Sequence, residues 1–212
     1  MIIKSVDFAG AIANMNGKAP GSFPQVAFSG RSNVGKSSLI NRLLGRTRTA
    51  VARVSSTPGK TREINFFDVK ATSSGQQPVR FYLVDLPGYG YAKVPLELRK
   101  HWQPLIEWYL GNMEPLRGVV QLIDVRHDPV EADRLMLHYL AETEVPALFV
   151  LTKVDKLTRS NRATQVRNVL RALTIDPEQA IEFSSVTGQG REELLEAVEA
   201  LVIRPAQLES RS

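Results

Sequence analysis

The sequence predicts an α/β fold on a mostly parallel sheet, and three observations carry that prediction. Apolar strand-like runs alternate with helix-like stretches along most of the 212 residues. A glycine-rich turn, Gly30–Ser38, stands between a buried-strand pattern and an amphipathic-helix pattern. The runs at 64–69 and 79–84, joined through Ser73-Ser74-Gly75-Gln76-Gln77-Pro78, read as a hairpin and supply one antiparallel edge strand.

Taken in order, residues 1–22 read as a short N-terminal extension with turn residues Gly17, Pro20 and Gly21. Strands come next at 25–29, 64–69, 79–84, 118–123, 147–151 and 180–183, which makes a six-stranded sheet. Helices are predicted near 36–44, 96–110, 130–142, 160–173 and 191–203. Trp102, Leu105, Ile106 and Tyr109 have core-like spacing in the second, where Pro104 is placed to kink it. Residues 45–61 form a long loop with basic residues Arg46, Arg48, Arg53 and Lys60, and 86–94 a second irregular stretch. The principal domain is expected over 23–204, with a polar, frayed tail at 205–212.

Composition narrows the classes. With 43% hydrophobic and 23% charged residues, the chain suits one globular domain. Cysteine is absent, which excludes disulfides and thiolate metal sites. The N-terminus lacks a signal-peptide pattern and no apolar run is long enough for a bilayer, so a cytoplasmic protein without membrane contact is expected. A net charge of +5 permits a polyanionic partner, although a solvated basic surface explains it equally well.

The chemistry lies in motifs at the ends of strands. Gly30, Gly35, Lys36 and Ser37 have the spacing G-x-x-x-x-G-K-S of a phosphate-binding loop. The glycines let amide N–H groups of Gly30, Arg31, Ser32, Asn33, Val34, Gly35, Lys36, Ser37 and Ser38 surround phosphates, beside the positive end of a helix dipole. Lys36 would reach the β- and γ-phosphates and the Ser37 hydroxyl a Mg²⁺ ion. Asp85-Leu86-Pro87-Gly88 ends a strand; Asp85 can hold Mg²⁺ through water, and the Gly88 N–H can meet a γ-phosphate oxygen. Thr152-Lys153-Val154-Asp155 ends another. A carboxylate there accepts two hydrogen bonds from guanine N1 and N2, which adenine cannot offer, while the Lys153 stem lies over the purine. Phe183-Ser184-Ser185 can offer backbone amides to guanine O6. In the long loop, Thr57-Pro58-Gly59-Lys60-Thr61 holds two threonines that compete to complete a Mg²⁺ shell when γ-phosphate is present, the behaviour of a switch.

These elements, in this order over about residues 23–203, resemble the translation-factor-related class of small GTPases. Gly-Arg-Ser-Asn-Val-Gly-Lys-Ser-Ser (30–38), Ser-Ser-Thr-Pro-Gly-Lys-Thr (55–61), Ile-Asn-Phe-Phe (64–67), Asp-Leu-Pro-Gly-Tyr-Gly-Tyr-Ala (85–92) and Val-Gln-Leu-Ile-Asp-Val-Arg-His (120–127) look like the EngB (YihA/YsxC) family of bacterial GTPases. This family belongs to the TrmE-Era-EngA-EngB-septin-like superfamily. The resemblance implies a three-layer α/β/α G domain, a monomer, that binds GTP and GDP with Mg²⁺. It also implies a role in late assembly of the large ribosomal subunit, on its precursor or rRNA, and in normal cell division and septation. On the family pattern Thr61, rather than Thr57, is the switch threonine, so Ser37, Thr61 and Asp85 form the metal set. Gly59 and Lys60 join the nucleotide contacts.

Many GTPases carry Gln after the glycine of D-x-x-G to orient the attacking water; here that residue is Tyr89, so slow intrinsic hydrolysis is expected. Related GTPases with Asn at the position of Asn33 bind K⁺ in the role of an arginine finger, which makes Asn33 a candidate catalytic residue beside Lys36, Thr61 and Gly88. Its plain alternative is to shape the loop. Rival readings are a P-loop ATPase or small-molecule kinase, which Asp155 opposes, and a GTP-gated interaction protein of the division machinery with no direct ribosome role.

Overall fold

Strand alternation and helix amphipathicity together produce three layers. The computed structural model describes residues 1–46, 51–52, 63–89, 96–143 and 145–203, with backbone alone for 96–103. Its elements are β1 (Ile2–Ile12), β2 (Gln25–Gly30), α1 (Lys36–Leu43), β3 (Ile64–Thr72), β4 (Pro78–Asp85), α2 (Leu96–Asn112), β5 (Leu116–Asp124), α3 (Glu131–Glu142), β6 (Ala147–Thr152), α4 (Arg159–Leu173), β7 (Ala180–Phe183) and α5 (Arg191–Ile203). Thr57, Gly59, Lys60, Thr61, the basic residues Arg48, Arg53 and Arg62, the Trp102 side chain and the tail at 205–212 lie outside the described residues.

The strands form one sheet of seven in the order β1-β3-β4-β2-β5-β6-β7. β2 pairs in parallel with β4 and β5, and β5, β6 and β7 continue in parallel. β3 runs antiparallel to both of its neighbours. Two expectations are corrected. The sheet has seven strands rather than six, because Ile2–Ile12 pairs along β3 from Ile2 opposite Thr72 to Ile12 opposite Ile64. The reversed strand β3 is therefore one place in from the edge, covered by β1. The alternation in β1 is broken by register shifts between Ile3 and Ser5 and between Phe8 and Gly10, and Ile2 and Phe8 lie in solvent. An edge strand with bulges loses the period-two signature that marks the central strands.

In those central strands the alternation holds. Val26, Phe28, Leu83, Val120, Leu122 and Val150 pack under α1 and α5, through Leu39, Ile40, Leu43, Leu194, Leu195 and Val198. Ala27, Tyr82, Val84 and Val119 face the other way, onto α2 and α3, through Leu105, Ile106, Tyr109, Leu110 and Leu140. α4 covers β6 on that side with Val169, Leu170 and Leu173. Each such buried side chain contributes about 1.5–3 kcal/mol. α2 runs on across Pro104 to Asn112. The carboxyl ends of β2, β4, β5, β6 and β7 share one rim, at Gly30, Asp85, Asp124, Thr152 and Phe183. Strands leave β2 in both directions, and a crevice at such a switch point is where open α/β sheets hold ligands.

Candidate nucleotide-binding site

β2 is buried along its whole length and anchors the loop that leaves it. A side chain at Gly30 would bring its Cβ within 2.9 Å of Val34 Cγ1 and 3.2 Å of the Leu122 carbonyl oxygen. Gly35 has φ +102°, which disfavours any L side chain, and it opens α1 with no side chain capping the helix. The N–H groups at the start of α1, from Lys36 to Ser38, are therefore free of a side-chain partner and point at the rim. Asn33 also lies in the left-handed region, at φ 66°, with its side chain exposed.

Lys36 and Asp85 are both buried and form an ion pair across the root of the loop. After Asp85 the chain passes close under the loop. Leu86 N–H donates to the Phe28 carbonyl at 3.1 Å, Tyr89 N–H to that of Gly30 at 3.3 Å, and Ser32 N–H to that of Tyr89 at 2.9 Å. The Ser32 hydroxyl donates to the Gly88 carbonyl at 3.3 Å. A Cβ on Gly88 would stand 3.1 Å from both Ser32 N and Cα. The phosphate-loop motif and the D-x-x-G motif are thus one folded unit.

The Tyr89 phenol does not face the site. It is buried, donates to Asp133 Oδ1 at 3.2 Å and accepts from Gln121 Nε2 at 2.6 Å. Burial, then the Asp133 charge, push its hydroxyl well above the ordinary tyrosine value, so it stays protonated.

On the other side of the loop, the buried Thr152 hydroxyl reaches the carbonyls of Val34 at 2.8 Å and Ile123 at 3.2 Å, and so braces the loop. Lys153, at φ 64°, sends its Nζ to the Asn33 carbonyl at 2.6 Å and to Asp124 Oδ2 at 2.8 Å. Its stem crosses Gly35, whose Cβ position would be 3.6 Å from Lys153 Cε. Asp124 also takes a two-pronged contact from Arg126, at 2.9 and 2.7 Å. Burial would raise the Asp124 carboxyl, but the hydrogen bonds from Arg126 and Lys153 outweigh it and hold it at about 2. Asp155 accepts from the Ser184 hydroxyl at 2.6 Å, and that hydroxyl in turn accepts the N–H groups of Val186 and Thr187. Arg42 of α1 ties down the same loop through the carbonyls of Ser185 and Val186, at 2.7 and 2.6 Å.

The described residues named from the sequence therefore meet on one rim. The side chains of Val34, Leu86, Val154 and Phe183 are core residues, so these positions have only backbone to offer a ligand. Sequence reasoning missed Gln121, Asp124, Arg126, Asp133 and Arg42 as partners. Gln121, Asp124 and Arg126 sit in the stretch 120–127 that carries part of the family resemblance, but no spacing rule assigned them a role. Among the described residues no cluster of His, Asp and Glu has the makings of a metal cage. A Mg²⁺ held chiefly by phosphates needs only one or two protein oxygens, and those of Asp85 and Ser37 are hard donors of the right kind.

Residues 25–153 match the model of a family described as 50S ribosome-binding GTPase. The probable GTP-binding protein EngB of Gemmatimonas aurantiaca is 46% identical over 206 residues, 97% of this chain and 96% of that protein. The chain belongs to the EngB family of GTP-binding proteins. The Desulforamulus reducens member is 45% identical over 203 residues, 95% of each chain. A crystal structure of a probable GTP-binding protein engB shares the fold, with TM-score 0.63 and 22% identity, covering 84% of this chain and 98% of that one. As a GTPase of this family, the protein binds guanine nucleotide and hydrolyses GTP to GDP and phosphate. No described helix is long and apolar enough to cross a membrane.

Proposed function

We propose that this protein is a guanine-nucleotide-dependent switch in late assembly of the large ribosomal subunit, needed for normal cell division and septation. The observation that carries the reading is the meeting, on one rim, of the loop 30–38 and the uncapped start of α1 with the Asp155–Ser184 pair. The family's description as 50S ribosome-binding, with a net charge of +5, supports an rRNA-containing partner. The reading places a monomer in the cytoplasm, apart from membranes.

In this reading the phosphates lie in the loop formed by Gly30, Arg31, Ser32, Asn33, Val34, Gly35, Lys36, Ser37 and Ser38. Lys36 exchanges Asp85 for the β- and γ-phosphates, which replaces one charge partner by another inside a buried pocket. Ser37 and Thr61 directly, and Asp85 through water, would hold Mg²⁺, which when bound neutralises phosphate charge. Thr61 and the Gly88 N–H meet the γ-phosphate; Gly59 and Lys60 close with Thr61. Asp155 pairs with guanine N1 and N2, the Lys153 stem covers the purine, and the Ser185 N–H faces O6, that of Ser184 being taken by the Gln189 carbonyl. With the Tyr89 phenol turned inward, water positioning falls to other groups, and intrinsic hydrolysis is slow. K⁺ held by Asn33 is assigned the missing charge stabilisation; turnover in KCl should exceed that in NaCl, and Asn33→Ala should abolish the difference.

The deciding experiment is co-sedimentation of the full chain with ribosomal subunits. Binding to the large subunit or its precursor with a non-hydrolysable GTP analogue, and not with GDP, is expected. No association with either nucleotide would overturn the ribosomal role and leave a GTP-gated interaction protein of the division machinery.

A further inference from the structure

Nucleotide binding as proposed makes no use of the Tyr89 side chain, although a buried polar site is built round it. We propose that Tyr89 is a positioning residue for γ-phosphate recognition: its hydroxyl, latched to Asp133 of α3, holds the Gly88 N–H where a triphosphate's last phosphoryl group meets it. The latch then favours GTP over GDP. This inference rests on the assignment of the Gly88 N–H to the γ-phosphate.

Gly88 has no side chain to anchor it, and its N–H makes no hydrogen bond among the described residues. Its position is set by the Ser32 hydroxyl on its carbonyl and by its neighbour Tyr89, which exchanges backbone hydrogen bonds with Gly30 and Ser32, in a parallel bridge opposite Arg31. Those bonds, and the Ser32 hydroxyl on the Gly88 carbonyl at 3.3 Å, all lie at the rim. The buried phenol adds an anchor on the α3 side.

Its hydroxyl is satisfied in both directions, as donor to Asp133 and acceptor from Gln121. Gln121 Nε2 is also within reach of the Leu122 carbonyl at 3.2 Å. Asp133 is itself buried and fixed: its Oδ2 accepts the Val130 N–H at 3.1 Å and stands 3.6 Å from Arg31 Nη1. One carboxylate therefore joins the phosphate loop, the D-x-x-G segment and the first turn of α3. Removing the phenol oxygen leaves Asp133 Oδ1 and Gln121 Nε2 short of a partner in a buried place and frees the Gly88–Tyr89 segment. A diphosphate has no group at Gly88, so its affinity does not depend on the latch. An ordinary core tyrosine would affect folding, or both nucleotides alike.

The test is titration of the full chain with fluorescent GDP and a fluorescent non-hydrolysable GTP analogue, alongside thermal melting. Tyr89→Phe should weaken the analogue about tenfold and GDP by less than about twofold. Asp133→Ala should also weaken the analogue more than GDP, and the double variant should be no worse than Asp133→Ala alone, because the phenol acts on Gly88 through that carboxylate. Asp133→Asn keeps an oxygen for the phenol and reads the same ratio at about threefold, should Tyr89→Phe not fold. Equal weakening of both nucleotides, or an unchanged ratio, overturns the latch. Gly88→Ala separates the two claims. If it leaves the analogue-to-GDP ratio unchanged, the Gly88 assignment fails; if it alters the ratio while Tyr89→Phe does not, only the latch fails.

Discussion

At the base end of the site, side chains do the holding. Asp155 takes Ser184, Lys153 takes Asp124 and the Asn33 carbonyl, and Thr152 braces Val34 and Ile123. At the end assigned to the γ-phosphate, the backbone does most of the holding: Gly30, Ser32 and Tyr89 are joined by main-chain bonds, with the Ser32 hydroxyl on the Gly88 carbonyl and one phenol behind them. The difference fits the chemistry. A guanine base is the same in GTP and GDP, so its receptor gains by being rigid. The γ-phosphate comes and goes, so its receptor must be held weakly enough to change with it.

The largest effect should come from breaking what both ends depend on. Lys36→Ala should lower affinity for GDP and GTP analogue together, by about a hundredfold or more by fluorescence titration. It should also destabilise the ligand-free protein by about 3 kcal/mol, because Asp85 is left buried without its partner. Undiminished binding would contradict the phosphate-loop assignment.

Asp155→Asn attacks the base end alone. An amide can still accept from Ser184 but offers a donor where guanine needs an acceptor. Affinity for GTP should fall about a hundredfold, and xanthine nucleotides, which carry an oxygen in place of the N2 amine, should gain. The change should be equal for di- and triphosphates, unlike that at Tyr89; competition binding measures both. A smaller effect is expected of Thr152→Val, which keeps shape but removes the donor to two carbonyls. Stability should drop by about 1–3 kcal/mol in denaturant unfolding, with base selectivity intact.

The smallest effect is electrostatic. Asp124 has its carboxyl depressed from an ordinary 3.8 to about 2. A depressed carboxylate stabilises the fold fully above its unfolded value, and the contribution disappears as pH falls through the folded value. The stability gap between wild type and Asp124→Asn should therefore be full above about pH 4 and close towards about pH 2. A gap that widened on acidification would contradict the assignment of Asp124 as the carboxylate held by Arg126 and Lys153.

The legible parts of this molecule are those that depend on near neighbours in the chain. The helix at Arg191–Ile203 and the strand at Ala180–Phe183 were readable to the residue, because their apolar periods are unbroken. The turn between Gly30 and Lys36 was readable because phosphate loops need glycine at fixed offsets. Where chain pattern and environment part company, reading failed: β1 lost its alternation to two register shifts, and a sheet of seven looked like one of six.

By itself the sequence determined the class of fold, the order of motifs and the residue types able to meet phosphate, Mg²⁺ and guanine. Only the tertiary structure decided who stands beside whom. Asp155 meets Ser184 and Lys153 meets Asp124, each across 29 positions of sequence; Tyr89 meets Gln121 across 32 and Asp133 across 44. Separations of that size carry no periodic signature, because the sheet, and not the chain, sets the distance. Tyr89 shows the consequence. Its place directly after D-x-x-G puts its backbone at the site, while burial and two polar partners turn its phenol away from it.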